Sequence, residues 1–237
     1  MTTKTDLINQ IKQELQESVD PIYRDREKSF SKEDYESYGV KTPVVRSISK
    51  KYYSEVKRLS KEQVFQLAEV LLNSKMSEEQ TIAFDWAFRL KSKFKPADYN
   101  RFFCWLEQFV DTWFKCDDFC THALGYLLYK YPQLTNYLPE WAKSDNRWIR
   151  RAAAVVLIYS LRRGDQLDSA FKIADLLLLD QDELVQKGYG WMLKESSKRW
   201  PKQVFEFVLA RKDKMPRTAL RYAIEKLSPD QRAEAMG

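Results

Sequence analysis

Apolar residues recur every three to four positions along nearly the whole of this chain, a spacing that lines them up on one face of an α-helix. No run alternates apolar and polar residues convincingly enough to read as a half-buried strand, and no hairpin turn signal stands out. The stripes predict helices over 5–19, 43–58, 61–73, 78–92, 97–110, 118–130, 133–143, 146–161, 167–178, 182–198, 201–211 and 216–227. Several starts carry their own marks. Thr42-Pro43 reads as an N-cap followed by proline at the first helical position, and Ser60 with Gln63 and Ser77 with Gln80 read as capping boxes. Pro96, Pro132, Pro201 and Pro216 fall between stripes, where a missing N–H is harmless.

A weak repeat underlies the helices. Ile149-Arg-Arg-Ala-Ala153 and Val185-Gln-Lys-Gly-Tyr189 begin 36 residues apart, with looser copies at Gln80-Thr-Ile-Ala83 and Pro216-Arg-Thr-Ala219. A cation followed by a small residue, after a polar turn, is how HEAT-type repeats open their inner helix. The expected fold is therefore all-α: a HEAT-like helical-repeat solenoid, a curved superhelix of antiparallel helix pairs forming one domain over 1–237, with a non-repetitive bundle as the alternative.

Composition narrows the function. The 237 residues carry a net charge of +6, distributed unevenly: residues 1–140 hold 21 Lys and Arg against 21 Asp and Glu, and residues 141–237 hold 19 against 13. A basic excess confined to the last two-fifths implies a polyanion-binding surface there. No stretch approaches the roughly 18 uncharged apolar residues of a membrane span, and Met1–Gln10 lacks the apolar core of a signal peptide. A cytoplasmic protein is expected, with Cys104, Cys116 and Cys120 reduced and buried. One histidine, His122, and no metal-type cysteine spacing leave no zinc site to expect.

Three segments carry candidate chemistry. Lys187, Trp191, Lys194 and Lys198 share one helix face, where an indole among ammonium groups suits a nucleic-acid backbone or simply packs behind a solvated rim. Arg147, Arg150 and Arg151 open the preceding repeat; they either meet phosphates or pair with acids such as Asp145 and Asp182 between repeats. By the repeat, Arg151 and Lys187 are equivalent and both face the concave side. Trp113 and Asp117 lie four apart, so in a short helix the indole and carboxylate project together; otherwise Asp117 or Asp118 caps the next helix and Trp113 is core.

Together, Trp113-x-x-x-Asp117, Ser144-Asp-Asn-x-Trp-x-x-Arg-Ala-Ala153 and Gln186-Lys-x-x-Gly-Trp191-x-Leu-Lys194-Glu195 resemble the bacterial DNA alkylation repair glycosylases of the AlkD type. The turn Gly39-Val-Lys41-Thr-Pro43 fits as well, so the resemblance spans most of residues 39–227. It implies that Asp117 is the catalytic carboxylate, that Trp113 and Trp191 flank the damaged nucleotide, and that Arg151 contacts phosphate. Lys194 stands where the family has an arginine, which keeps the charge but loses the bidentate fork. Lys41, Arg147, Arg150 and Lys187 complete the expected DNA-binding set. The family's N-terminal aromatic contact has three competitors here, Phe30, Tyr35 and Tyr38. The function implied is release of cationic N3- and N7-alkylpurines from duplex DNA, by a monomer without metal or organic cofactor, the base staying stacked. The alternative is a non-catalytic α-solenoid that binds duplex nucleic acid or a protein partner.

Overall fold

A computed structural model of the chain describes residues 4–30 and 33–237, and the side chains of 5–27 and 33–237. Its elements are helical: α1 Lys4–Glu17, α2 Pro21–Phe30, α3 Thr42–Val56, α4 Lys61–Leu72, α5 Ser77–Arg89, α6 Asp98–Phe109, α7 Trp113–Thr121, α8 Ala123–Lys130, α9 Leu138–Trp141, α10 Arg147–Val155, α11 Ile158–Leu161, α12 Leu167–Leu176, α13 Glu183–Ser197, α14 Pro201–Leu209, α15 Arg217–Ala223 and α16 Pro229–Met236. Short 3-10 turns occupy Lys91–Lys93 and Pro132–Tyr137. Among the described residues the extended pairing is one parallel bridge, Glu36 with Met76. None of the described helices is long and apolar enough to cross a membrane.

The all-α expectation holds, with local corrections. Ser60 and Gln63 form the expected capping box. Thr42 does not cap α3; Lys41 occupies that position and Thr42 is already helical. Ser77 likewise lies inside α5, because its N–H donates to Glu36 O at 2.9 Å and draws the helix start back to Met76. The stripe over 118–130 divides at His122 into α7 and α8. Just past the break the chain packs closely: a Cβ on Gly125 would fall 2.3 Å from Cys120 O and 2.8 Å from Tyr159 Cβ. Cys116 and Cys120 are buried as expected, whereas Cys104 is exposed.

The chain divides into two compact units, Met1–Phe94 with Gln108–Asp118, and Lys95–Glu107 with Phe119–Gly237. In the first, α4 and α5 bury Phe65, Leu71, Ile82 and Trp86 completely. Burying side chains of this size contributes about 1.5–3 kcal/mol each. Trp86 Nε1 donates to Ser49 O at 3.1 Å and so ties α5 to α3. A polar seam runs beside it. Asp85 accepts Ser49 Oγ at 2.5 Å and Arg89 Nε at 2.7 Å, and Arg46 reaches both Asp85 and Asp118.

In the second unit α10, α13 and α15 pack in series. This is the arrangement that the repeats at 149–153, 185–189 and 216–219 imply for inner helices. Asn146 caps α10 by accepting Trp148 N–H, and Asp182 caps α13 by accepting Leu184 and Val185 N–H. Two glycines let the helices close up. A Cβ on Gly188 would meet the Arg151 side chain at 3.1 Å, and one on Gly190 would meet Tyr222 Cβ at 2.7 Å and Ala219 O at 2.9 Å. Elsewhere in this unit Tyr99, Tyr137 and Trp141 stack, and burial pushes the Tyr99 hydroxyl up to about 12.

Candidate functional site

In the first unit α7 begins at Trp113, so Trp113 and Asp117 stand one turn apart on the same short helix. Both are half-buried. Neither Asp117 nor Asp118 caps α8, whose N-cap is His122. Asp118 forms an ion pair with Arg46 from α3, and Asp117 is placed about 100° further back around the helix.

The Trp113 ring lies edge-on to Phe114 with centroids 5.8 Å apart, and Phe114 packs edge-on to Tyr35 at 5.0 Å. Trp113, Phe114 and Tyr35 line a cavity of 390 Å³ together with Tyr23, Glu27 and Glu78. Of the three aromatic residues competing for the N-terminal contact, Tyr35 thus shares a cavity with Trp113. Tyr38 instead donates its hydroxyl to Glu79 Oε1 at 2.7 Å. The Phe30 side chain lies outside the described residues.

The segment carrying Tyr35 is held by Glu78, 4% exposed at the head of α5. Its Oε1 accepts Gly39 N–H at 2.8 Å and Val40 N–H at 3.0 Å, and its Oε2 accepts Tyr38 N–H at 3.1 Å. Wrapping three consecutive N–H groups around one carboxylate needs the left-handed φ of +88° at Gly39, and a Cβ there would lie 2.3 Å from Arg24 Cβ. Lys41 follows directly and pairs with Asp20 at 2.7 Å, which holds the Asp20 carboxyl below its usual range. Periodicity gave no sign of these contacts, because they join acids at 20 and 78 to a segment without a stripe.

In the second unit Trp191 is half-buried on α13 and donates Nε1 to Glu195 Oε1 at 3.2 Å. Glu195 is 5% exposed and also receives Arg162 at 3.0 Å and Lys198 at 2.8 Å. Burial acts to raise this carboxyl, but hydrogen bonds from Arg162 and Lys198 outweigh it and hold the group below the usual carboxylate range. The Arg162 guanidinium stands 5.9 Å from the Trp191 ring. The indole therefore meets an acid one turn on, a spacing readable in Trp191-x-x-x-Glu195, rather than a row of lysines alone.

The remaining predicted cations are engaged within the second unit. Lys187 pairs with Glu183 at 2.9 Å and Lys194 with Glu225 at 2.9 Å. Arg147 reaches Asp182 at 3.3 Å and lies over the Trp148 ring at 4.5 Å. Arg150 pairs with Asp180 at 2.7 Å and donates to the carbonyls of Ser144 and Asp145. Pairing between repeats, one of the two readings open at the sequence level, describes Arg147 and Arg150, with Asp180 the acid for Arg150. Arg151 departs from its expected place on an open face. It is 4% exposed, crosses to α13 in the notch left by Gly188, and donates to Leu184 O.

Comparison with known proteins agrees with this architecture. A family model described as DNA alkylation repair enzyme matches residues 11–227. A solved structure from Enterococcus faecalis, described as a predicted DNA alkylation repair enzyme, superposes with a TM-score of 0.79 at 20% identity, covering 90% of this chain and 98% of that one. It shows a shared fold. No curated protein sequence matches the chain.

Proposed function

The chain belongs to the DNA alkylation repair enzyme family, and on that premise we propose that it hydrolyses the N-glycosidic bond of cationic N3- and N7-alkylpurines in duplex DNA. The reading is carried by one observation, the indole of Trp113 and the carboxylate of Asp117 held one turn apart on α7. Alkylation at N3 or N7 makes the base a cation and a good leaving group. As the bond lengthens, positive charge gathers on the deoxyribose. Asp117 stabilises that charge and orients the attacking water, and Trp113 adds the attraction of an aromatic face. Trp191, on α13, is assigned to the same nucleotide by the resemblance in sequence. No cofactor enters the scheme, and the protein acts as a monomer.

The ion pairs favour a second reading. Five of the six expected DNA-binding cations, Lys41, Arg147, Arg150, Lys187 and Lys194, meet carboxylates, and the sixth, Arg151, is buried. A non-catalytic helical scaffold that binds a duplex or a protein accounts for that pattern as well. Single-turnover incubation with an N7-methylguanine duplex decides between them. Release of methylated base by the wild type supports the glycosylase, and no release from any cationic lesion leaves the scaffold.

A further inference from the structure

Tyr99 and Phe103 stand four apart on α6 and so share a face, and Trp141 of α9 packs against both. The three rings are close to parallel, at interplanar angles of 13°, 17° and 29°. With Pro139 and Ile149 they wall a groove of 780 Å³ inside the second unit, twice the space beside Trp113 and without a part in the excision scheme. Tyr99 is only 9% exposed. Its hydroxyl oxygen accepts Trp141 Nε1–H at 3.2 Å, and among the described residues no acceptor takes the hydroxyl's own proton. Burial keeps that proton on the oxygen, against the Trp141 hydrogen bond and with the charge of Glu140 adding to the effect. A donor so enclosed calls for an acceptor from outside the chain.

The charge around the rings has the opposite sign to that of the whole chain. Glu107, Glu140 and Asp145 line the groove, all exposed, and among the described residues none of these carboxylates stands in an ion pair. Lys143 is the cation beside them. Arg150 touches the Ser144 and Asp145 carbonyls but carries its charge to Asp180. Three open carboxylates repel phosphates, so a nucleic acid is the wrong occupant for this face. A helix is wrong for a different reason. Its interior carbonyls are already taken by its own N–H groups, whereas an extended polyproline-type segment has every carbonyl free to accept the Tyr99 proton. Such segments also arrive with little conformational entropy left to lose, and rigid aromatic walls are what receives them.

We infer that this groove is a docking site for a short extended segment of a partner protein, rich in proline and carrying arginine. A backbone carbonyl of the segment accepts the Tyr99 proton, its prolines and apolar side chains lie against Phe103, Trp141 and Pro139, and its arginines meet Glu107, Glu140 and Asp145. Arginine suits the place better than lysine, because a guanidinium both pairs with a carboxylate and stacks on a ring. The inference stands apart from the proposed function and holds whether or not the chain excises bases.

The test titrates the full chain, by fluorescence anisotropy, into a short labelled peptide of prolines and leucines with an arginine at each end. Replacing the arginines by glutamates is expected to weaken binding at least about tenfold, and replacing the prolines by glycines about tenfold. Tyr99→Phe keeps the ring and removes the donor, for a loss of about five- to tenfold. Lys143→Glu adds a fourth carboxylate to the rim and is expected to tighten binding about threefold, a gain that a poorly folded variant cannot imitate. No binding of the arginine peptide up to about 1 mM, equal affinity for the glutamate peptide, or an affinity unchanged in either variant overturns the proposal. Displacement of the peptide by undamaged duplex overturns it in favour of nucleic acid, and self-association of the chain that shuts the peptide out does so in favour of a second copy.

Discussion

Neighbouring acids on one helix meet different demands, and 117 and 118 illustrate this. The carboxylate at 118 neutralises Arg46, which also reaches Asp85, so Asp118→Asn loosens the seam between α3, α5 and α7. It is expected to cost about 1–2 kcal/mol of stability and to lower the melting temperature, with the excision step little changed. Asp117→Asn keeps the shape of the side chain and removes the charge that the proposed mechanism sets opposite the developing oxocarbenium ion. Single-turnover excision is expected to fall about a hundred- to thousandfold, or roughly 3–4 kcal/mol. Full activity in Asp117→Asn would take that residue out of the mechanism. Glu195 adds a pH dependence. Its folded carboxyl titrates below the ordinary value of 4.5, so its contribution to stability is complete above that pH and is lost as pH falls through the folded value. Acid unfolding curves of wild type and Glu195→Gln check this: the variant should start less stable at neutral pH and lose less on acidification.

Among the elements, the stack of α10, α13 and α15 depends on how closely the helices approach. Gly190→Ala sets a methyl against Ala219 O, a backbone atom that cannot yield alone, and overpacking of this kind costs about 1–3 kcal/mol. Gly188→Ala meets Arg151 Cγ at 3.1 Å, a contact that a shift of a few tenths of an ångström relieves, and gains about 1 kcal/mol of helix propensity in return. Chemical denaturation should therefore find Gly190→Ala clearly destabilised and Gly188→Ala near wild type; the reverse order would mean that α15 yields more readily than Arg151. These helices were legible in the sequence because each joins an apolar stripe to a marked start, the polar caps Asn146 and Asp182 for α10 and α13 and Pro216 before α15. Helix α2 was not, since Pro21–Phe30 is dense in charge and starts through Asp20, which accepts Tyr23 N–H. Helix α16 does carry a capping box, Ser228 with Gln231, but buries only Ala235 and shows almost no stripe. The pair of Trp113 and Asp117 was legible as a spacing of one turn. The burial of Arg151 was not, because it depends on a notch at Gly188, 37 residues along the chain and on another helix.

For the molecule as a whole, the basic excess of residues 141–237 is real in number, but the expected DNA-binding cations within it are committed in place: Arg147, Arg150, Lys187 and Lys194 meet carboxylates and Arg151 is buried. Phosphates must compete with carboxylates already seated on these cations, so duplex binding should be weaker and less salt-dependent than the count of lysines and arginines suggests. Removing a competitor tests this. Glu225→Gln releases Lys194 and is expected to tighten binding and steepen the log–log salt slope by about one contact; an unchanged slope would place Lys194 away from the duplex. The thiols offer a different kind of readout. Cys116 and Cys120 sit one turn apart on the helix that presents Trp113 and Asp117, each wholly enclosed, while Cys104 is exposed. A protein that handles alkylated DNA works among electrophiles, and its own sulfur is a better nucleophile than any base. With Cys104 reacting at once as an internal clock, the slow labelling of the other two would report how often α7 comes away from its packing, and the enclosure that keeps those thiols from the reagent also keeps alkylating electrophiles from the helix proposed to carry the excision.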